Sequence, residues 1–288
     1  MDQTAIKYVT FIVLHYNCAA ETLACVESIR QLERQELVRV VVLDNASVND
    51  SYQELQNAYD KDSQVFLLHS DSNLGFSGGN NRAWDYARQH WDSSFVVLAN
   101  NDLLFPDRKF IGKVFEEYEK SGFGVLSPDI FHTKRKIHQS PIEDQMVLPV
   151  NQVRRTILFN TLALACYPVF YALYGRRMKE TEQRSRNLNY RKDIVPMGAC
   201  LIFSEKVFRV KDNLLTPETF FYYEEYILSY WCCKHQVDIV FQPDIQVLHN
   251  HGSSTKSVGN PKEVLRFRMK NILSAAKVYY RLISEKEK

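Results

Sequence analysis

The chain has 288 residues, 45% of them hydrophobic, which suffices for a packed core in one large domain or two small ones and excludes a disordered protein. A formal net charge of +2 excludes a globally basic surface, so nucleic acid is not an expected partner and any basic attraction is local, as around residues 154–192. The six cysteines (Cys18, Cys25, Cys166, Cys200, Cys232, Cys233) show neither CxxC spacing nor a paired His motif, and the start Met-Asp-Gln-Thr shows no secretory pattern; reduced thiols in a cytoplasmic chain are expected.

In chain order, Tyr8–His15, Val38–Leu43, Val65–Leu68 and Phe95–Ala99 read as strands: short, rich in Val, Ile and Phe, and bounded by Asp, Asn, Ser or Gly. Helical spacing falls between them at 20–33, 50–60 and 80–90, and Pro106-Asp107 opens a further helix. This alternation predicts an α/β fold with a mostly parallel central sheet and helices on both faces, so residues 1–128 form a Rossmann-like half. A second half spans 129–256 and carries an apolar insertion near 150–178. Within it, Thr156–Gly175 is about one bilayer span long, but Asn160 and Pro168 interrupt it and Arg154-Arg155 and Arg176-Arg177 flank both ends. A membrane-surface insertion is the favoured reading, beside a core hairpin and a true span. A polar, basic linker (Lys179–Lys192) precedes the ordered runs Val195–Phe203, Phe220–Trp231, Ile239–Phe241 and His249–Ser254. The tail, 257–288, is a basic amphipathic helix with apolar positions Leu265, Met269, Ile272, Ala276, Tyr279 and Leu282, expected to pack on the body or lie on anionic lipid.

Asn100-Asn101-Asp102 directly follows the strand Phe95–Ala99, which delivers a carboxylate to the mouth of a buried strand, where open α/β sheets bind ligands. An Asp there can hold a divalent cation, which can neutralise a diphosphate leaving group. At the first strand end, His15-Tyr16-Asn17 offers an aromatic ring on which a nucleobase can stack. At the second, Asp44-Asn45 can read the imide edge of uracil or thymine, although turn capping explains the same residues equally well. In Asn73-Leu74-Gly75-Phe76-Ser77-Gly78-Gly79-Asn80-Asn81, three glycines between a strand and a helix permit close approach to a phosphate or ribose; the alternative is a tightly packed turn. Neither GxGxxG nor Gly-Lys-Ser/Thr is present, so a dinucleotide fingerprint and a Walker loop are both unsupported.

Together with Gly198-Ala199-Cys200-Leu201-Ile202, Phe220–Glu225 and His249 with Gly252 and Ser253, these motifs resemble the family 2 glycosyltransferases of GT-A fold, in a bacterial rhamnosyltransferase-like branch. The resemblance implies a donor nucleotide-sugar pocket of His15, Tyr16, Asn17, Asp44, Asn45, Asn73, Gly75, Phe76, Gly79, Asn80, Asn100 and Asn101, followed by an acceptor-binding half. It implies Asp102 and His249 as ligands of Mn²⁺ or Mg²⁺, and Glu225, next to Glu224, as the catalytic base. Three departures stand out: Asn100 replaces the first Asp of the DxD element, Glu225 replaces an Asp, and Ile227 and Trp231 replace a further Asp and an Arg. The implied activity is inverting, metal-dependent transfer, with dTDP-rhamnose as first donor and UDP-galactofuranose or another UDP-hexose second. The implied acceptor is a lipid-linked surface glycan at the inner face of the plasma membrane. Two other classes compete. A nucleotidyltransferase needs a basic Gly-rich loop near the first strand, where His15–Ala20 has no Lys or Arg; an inactive binding module would have lost the acids, yet Glu224 and Glu225 remain.

Overall fold

A computed structural model describes residues 7–175, 187–250 and 260–284. The first strands, β1 (Tyr8–His15), β2 (Val38–Asp44) and β3 (Val65–His69), alternate with helices α1 (Ala19–Arg30), α2 (Ser51–Tyr59) and α3 (Gly75–His90). There follow β4 (Ser93–Asn100), β5 (Leu103–Leu104), α4 (Phe110–Ser121), β6 (Val125–His132), β7 (Ile137–His138), α5 (Val150–Ala165) and α6 (Tyr167–Phe170). The remainder is β8 (Arg191–Lys192), β9 (Cys200–Ser204), α7 (Glu205–Phe208), α8 (Glu224–His235), β10 (Ile239–His249) and α9 (Pro261–Ser284).

The sheet runs in the order β3-β2-β1-β4-β9-β6-β10-β5, with β7 paired to β6 and β8 to β10. Strands β3, β2, β1 and β4 are mutually parallel, and so are β6 and β10; β9 lies antiparallel between β4 and β6. Both faces are covered, which is why the strands are apolar without strict alternation. Phe11 and Val13 of β1 pack with Cys25, Val26, Ile29, Leu55 and Val114 under α1, α2 and α4. Ile12, between them in sequence, packs on the other face with Ala83, Trp84, Val207 and Leu228 under α3, α7 and α8. The expected division after residue 128 falls inside β6, so one sheet runs through both halves.

Helix α3 begins at Gly75, five positions before the expected start at 80, so the glycine run forms its first turns instead of a loop in front of it. β10 runs well past the expected Ile239–Phe241, because Pro243 is absorbed at a register shift between Gln242 and Gln246. The insertion is a bent pair: α5 and the following Tyr167–Tyr174 meet at 99°, just before Pro168, and no single helix among the described residues is long and apolar enough to cross a membrane. Helix α9 packs on the body, as the first of its two expected roles requires. Ala276, Tyr279 and Ile283 join Val153 of α5 and Ile227 and Tyr230 of α8, and the Tyr279 hydroxyl accepts the Leu148 N–H at 2.9 Å. The Arg176-Arg177 pair, most of the linker from 179, and the expected element beyond Asn250, including Gly252 and Ser253, lie outside the described residues.

Candidate active site

The chain leaves β1 towards β2 and β3 on one side and later returns as β4 on the other, so a cleft opens where the carboxyl ends of β1 and β4 lie side by side, with Leu14 paired to Asn100. His15 ends β1, but its ring is wholly buried: Nδ1 meets Thr22 Oγ1 at 2.7 Å and Nε2 meets Ser51 Oγ at 2.9 Å. Burial pulls its pKa down to about 4 against the opposing pull of Asp44, so the ring is neutral. Both nitrogens are spent inside the fold, which corrects the expectation of a ligand-facing His15: it ties β1 to α1 and α2. Tyr16, half-buried, follows at the strand end. Asn17 adopts φ 59° and clamps the next turn, accepting Val48 N–H on Oδ1 at 2.8 Å and donating its own N–H to Ser47 Oγ at 2.8 Å.

Asp44, buried at the end of β2, accepts His69 Nδ1–H on Oδ2 at 2.8 Å and Ser47 N–H on Oδ1 at 3.2 Å, so the turn-capping role is realised. Asn45 holds the glycine run, with Oδ1 accepting Leu74 N–H at 2.8 Å and Nδ2 donating to Asn73 Oδ1 and the Gly75 carbonyl, both at 3.1 Å. Gly75 N–H donates to Asn73 Oδ1 at 2.9 Å and Phe76 N–H to the Phe220 carbonyl at 2.7 Å. Three successive amides, those of Leu74, Gly75 and Phe76, are thus engaged internally, as the tightly packed alternative requires. The glycines serve packing. Gly75 has φ 70°, and a Cβ there would strike the Phe220 carbonyl and come within 2.6 Å of the Phe220 ring; at Gly79 a Cβ would meet Leu14 Cδ1 at 2.5 Å. Asn80 donates to the Phe76 carbonyl at 2.9 Å, within its own helix.

Two residues that sequence reasoning did not single out tie this run to the second half. Asn81 donates to the Leu215 carbonyl at 2.8 Å and accepts Leu215 N–H at 3.0 Å, and Ser77 Oγ lies 2.9 Å from Thr219 Oγ1. Their only signal in the sequence is membership of the Asn73–Asn81 run.

At the end of β4, the Asn100 N–H donates to the Ala199 carbonyl at 2.9 Å and Asn101 Nδ2 to Thr22 Oγ1 at 3.0 Å. Asp102, 7% exposed, places Oδ1 3.3 Å from Nε2 of His249, which is 3% exposed at the end of β10. The other His249 nitrogen, Nδ1, lies 2.8 Å from Gln139 Oε1; in a neutral ring with its proton on Nδ1, the Nε2 lone pair faces the carboxylate. Two acceptors facing one another in this way fit a shared divalent cation. Among the described residues no cluster of three or more ligating side chains occurs. The Asp102 side opens on a cavity of about 170 Å³, with Glu21 and Asn250 in its wall.

Glu225 reaches the same edge from the other half. Its Oε1 accepts the Gly198 N–H at 3.2 Å, one residue before the Ala199 that bonds Asn100, and a Cβ on Gly198 would strike that oxygen. Tyr222 (φ 73°) and Tyr223 (φ 68°) are both left-handed, a conformation costing each about 1–3 kcal/mol, and turn the chain so that both glutamates begin α8. Burial raises the Glu225 pKa, and the Gly198 N–H opposes it. Glu224 is 4% exposed, its Oε1 has no hydrogen-bond partner, and burial together with Glu225 pushes its pKa up to about 8. Glu225 is thus held at Gly198, next to the residue that bonds Asn100, while Asp102, two positions after Asn100, meets His249.

Residues 10–208, more than half of the chain, match the family described as Glycosyl transferase family 2. The low-salt glycan biosynthesis hexosyltransferase Agl10 of Haloferax volcanii is 22% identical over 254 residues, covering 87% of this chain and 69% of that protein. TarS 1–349 of S. aureus superposes with TM-score 0.55 at 13% identity, over 97% of this chain and 73% of that one. The mannosyltransferase PcManGT from Pyrobaculum calidifontis, solved with GDP-Man and Mn²⁺, gives TM-score 0.56 at 12% identity over 96% and 74%. The sheet order, the superposed GT-A structures and the span of the family match lead to one conclusion: this chain belongs to glycosyl transferase family 2, with a GT-A fold.

Proposed function

We propose that the enzyme transfers a hexosyl residue from a nucleoside-diphosphate sugar to a hydroxyl of a lipid-linked surface glycan, with inversion at the anomeric carbon. The observation that carries this reading is the Asp102–His249 pair just beyond β4 and at the end of β10, with the Glu225 carboxylate held at Gly198, next to the residue that bonds Asn100. Similarity to Agl10, named as a hexosyltransferase of glycan biosynthesis, supports the sugar class. The branch resemblance puts dTDP-rhamnose first among donors and a UDP-hexose or UDP-galactofuranose second.

Tyr16 and Asp44 are the residues that the branch resemblance assigns to the pyrimidine. Asp102 and His249 are the residues that would hold Mn²⁺ or Mg²⁺; when bound, the cation supplies positive charge against the departing diphosphate. Glu225 accepts the proton of the acceptor hydroxyl while that oxygen attacks the anomeric carbon from the face opposite the diphosphate. The new carbon–oxygen bond forms as the bond to the diphosphate oxygen breaks and its electron pair leaves with the nucleotide, through an oxocarbenium-like transition state.

A peripheral membrane position is part of the same proposal. Leu158, Phe159, Leu162, Val169, Leu173 and Tyr174 on the bent pair are all more than half exposed, Arg154 and Arg155 stand on α5, and residues 150–175 contain no acid. Such a surface fits an anionic leaflet that also holds the acceptor.

Product analysis with a donor panel and Mn²⁺, with and without a glycan acceptor, tests the reaction class. Acceptor-stimulated release of nucleoside diphosphate is expected; release of sugar 1-phosphate from the donors, or of pyrophosphate when a nucleoside triphosphate and a sugar 1-phosphate are supplied instead, would identify a nucleotidyltransferase, and no release from any donor an inactive module.

A further inference from the structure

Aromatic side chains from two distant parts of the chain meet at the segment that leads into the acid pair. Phe220 and Phe221, on the segment leading into α8, stand edge to face with centroids 5.0 Å apart at 80°. Phe267 of α9 completes the group, 6.3 Å from Phe220 at 79° and 6.0 Å from Phe221 at 66°. Core aromatics of this protein, such as Phe11, Phe95 and Phe203, are fully buried, whereas Phe220 is 37% exposed and Phe221 and Phe267 are only half-buried. Ring surface of this size left in contact with water beside a reaction centre is available to a ligand.

The position of the group is fixed at both ends. The Phe220 carbonyl accepts Phe76 N–H at 2.7 Å, and its ring occupies the space that a side chain at Gly75 would need, so the rings begin against the glycine run. Immediately afterwards the left-handed Tyr222 and Tyr223 lead into Glu224 and Glu225. The rings therefore follow the contact with the glycine run and precede the carboxylate proposed to take the acceptor's proton. A pyranose has an apolar C–H face and a polar rim. Rings in T-shaped contact offer a surface to the first, and the half-buried Tyr222 hydroxyl, with Arg268 near enough to pull its pKa against the upward push of burial, offers polar partners to the second.

We propose that Phe220, Phe221 and Phe267 form an acceptor subsite that takes the apolar face of a pyranose ring, so that the C-terminal helix contributes a specificity-determining side chain to the active site. This rests on the glycosyl-transfer reading above. The subsite is testable on the full chain by saturation-transfer NMR with methyl pyranosides of glucose, galactose and mannose, run with and without dTDP and Mn²⁺. Ring C–H protons of at least one pyranoside are expected to saturate. Phe267→Ala and Phe221→Ala should each weaken that binding by roughly three- to ten-fold, the scale of one aromatic contact. Phe267→Tyr should restore it, and the dTDP-induced thermal shift should stay at its wild-type size throughout. Equal pyranoside binding in wild type and both alanine variants, or no saturation in wild type, would overturn the subsite. Loss of the dTDP shift in wild type while pyranosides still saturate would count against the donor reading and leave the subsite standing.

Discussion

Glu224 and Glu225 sit under opposed influences. The start of α8 and the Gly198 N–H favour their charged forms, while burial and mutual repulsion favour a proton. Burial wins at both. A base works only when deprotonated, so a raised Glu225 pKa moves the acidic limb of kcat/KM above the ordinary carboxylate range near 4.5. Glu225→Gln should lower kcat by about 10²-fold or more and abolish that limb while donor binding persists; a pH series of nucleoside diphosphate release checks both, and an unchanged limb would remove Glu225 from the base role. For Glu224 the consequence is stability. Between its ordinary 4.5 and about 8 the folded protein keeps a proton that the unfolded chain releases, so this contribution is complete below 4.5 and declines as pH rises towards 8. Glu224→Gln should flatten the fall in melting temperature across that window; an identical slope would sink the assignment. At this scale the sequence was partly legible. Asp102 could be picked out because polar residues end an apolar run there, and the acid pair through the family resemblance of Phe220–Glu225. The bond from Gly198 to Glu225 joins residues 27 positions apart, and no local pattern announces it. His15 shows the converse, since a histidine at a strand end looks alike whether it faces a ligand or Thr22 and Ser51.

Element by element, the glycine run differs most in role from its reading. Gly75 and Gly79 both lack room for a methyl group, but for different reasons, and the difference can be measured. Gly75→Ala combines a left-handed φ of 70° with a clash against the Phe220 backbone, so it should cost about 1–3 kcal/mol and displace the segment before the acid pair. Gly79→Ala meets side-chain ends alone, Leu14 Cδ1 at 2.5 Å and Leu43 Cδ2 at 3.4 Å, inside a helix where Ala is favoured, so its loss in chemical denaturation should be smaller; the reverse order would contradict this packing. The bent pair carries a prediction of its own. Leu162→Asp combined with Leu173→Asp should abolish flotation with anionic liposomes and leave nucleotide binding intact, because both side chains are 61% exposed and away from the site; a wild type that never floats would favour a purely structural hairpin. The four first strands were read almost to the residue, since apolar β-branched runs with polar ends have few other interpretations. Helix α3 was not, because glycines suggest loops. β10 was cut short by its own Gln242-Pro243-Asp244, where the expected alternation fails at a register shift.

For the whole molecule, the α/β class with a mostly parallel sheet followed from alternation of elements, whereas the adjacency of β1 and β4 and the continuity of one sheet through both halves did not. A ligand that bridges those halves should stabilise all of it. With dTDP and Mn²⁺ at a hundredfold excess over Kd, the gain is expected at about 2.7 kcal/mol. Chelation by EDTA, or Asp102→Asn, should remove most of the corresponding rise in melting temperature; a variant with full response would take Asp102 out of cation binding. The antiparallel β9 has a consequence for how the protein is made. β4 and β6 are its only neighbours in the sheet, yet both leave the ribosome well before residues 200–204 exist. At roughly 5–20 residues per second, the growing polypeptide spends several seconds or more with two apolar strand edges facing an empty slot. Nascent molecules in that interval are the ones most exposed to aggregation and to chaperone capture, and translational pausing between residues 133 and 199 would lengthen the hazard.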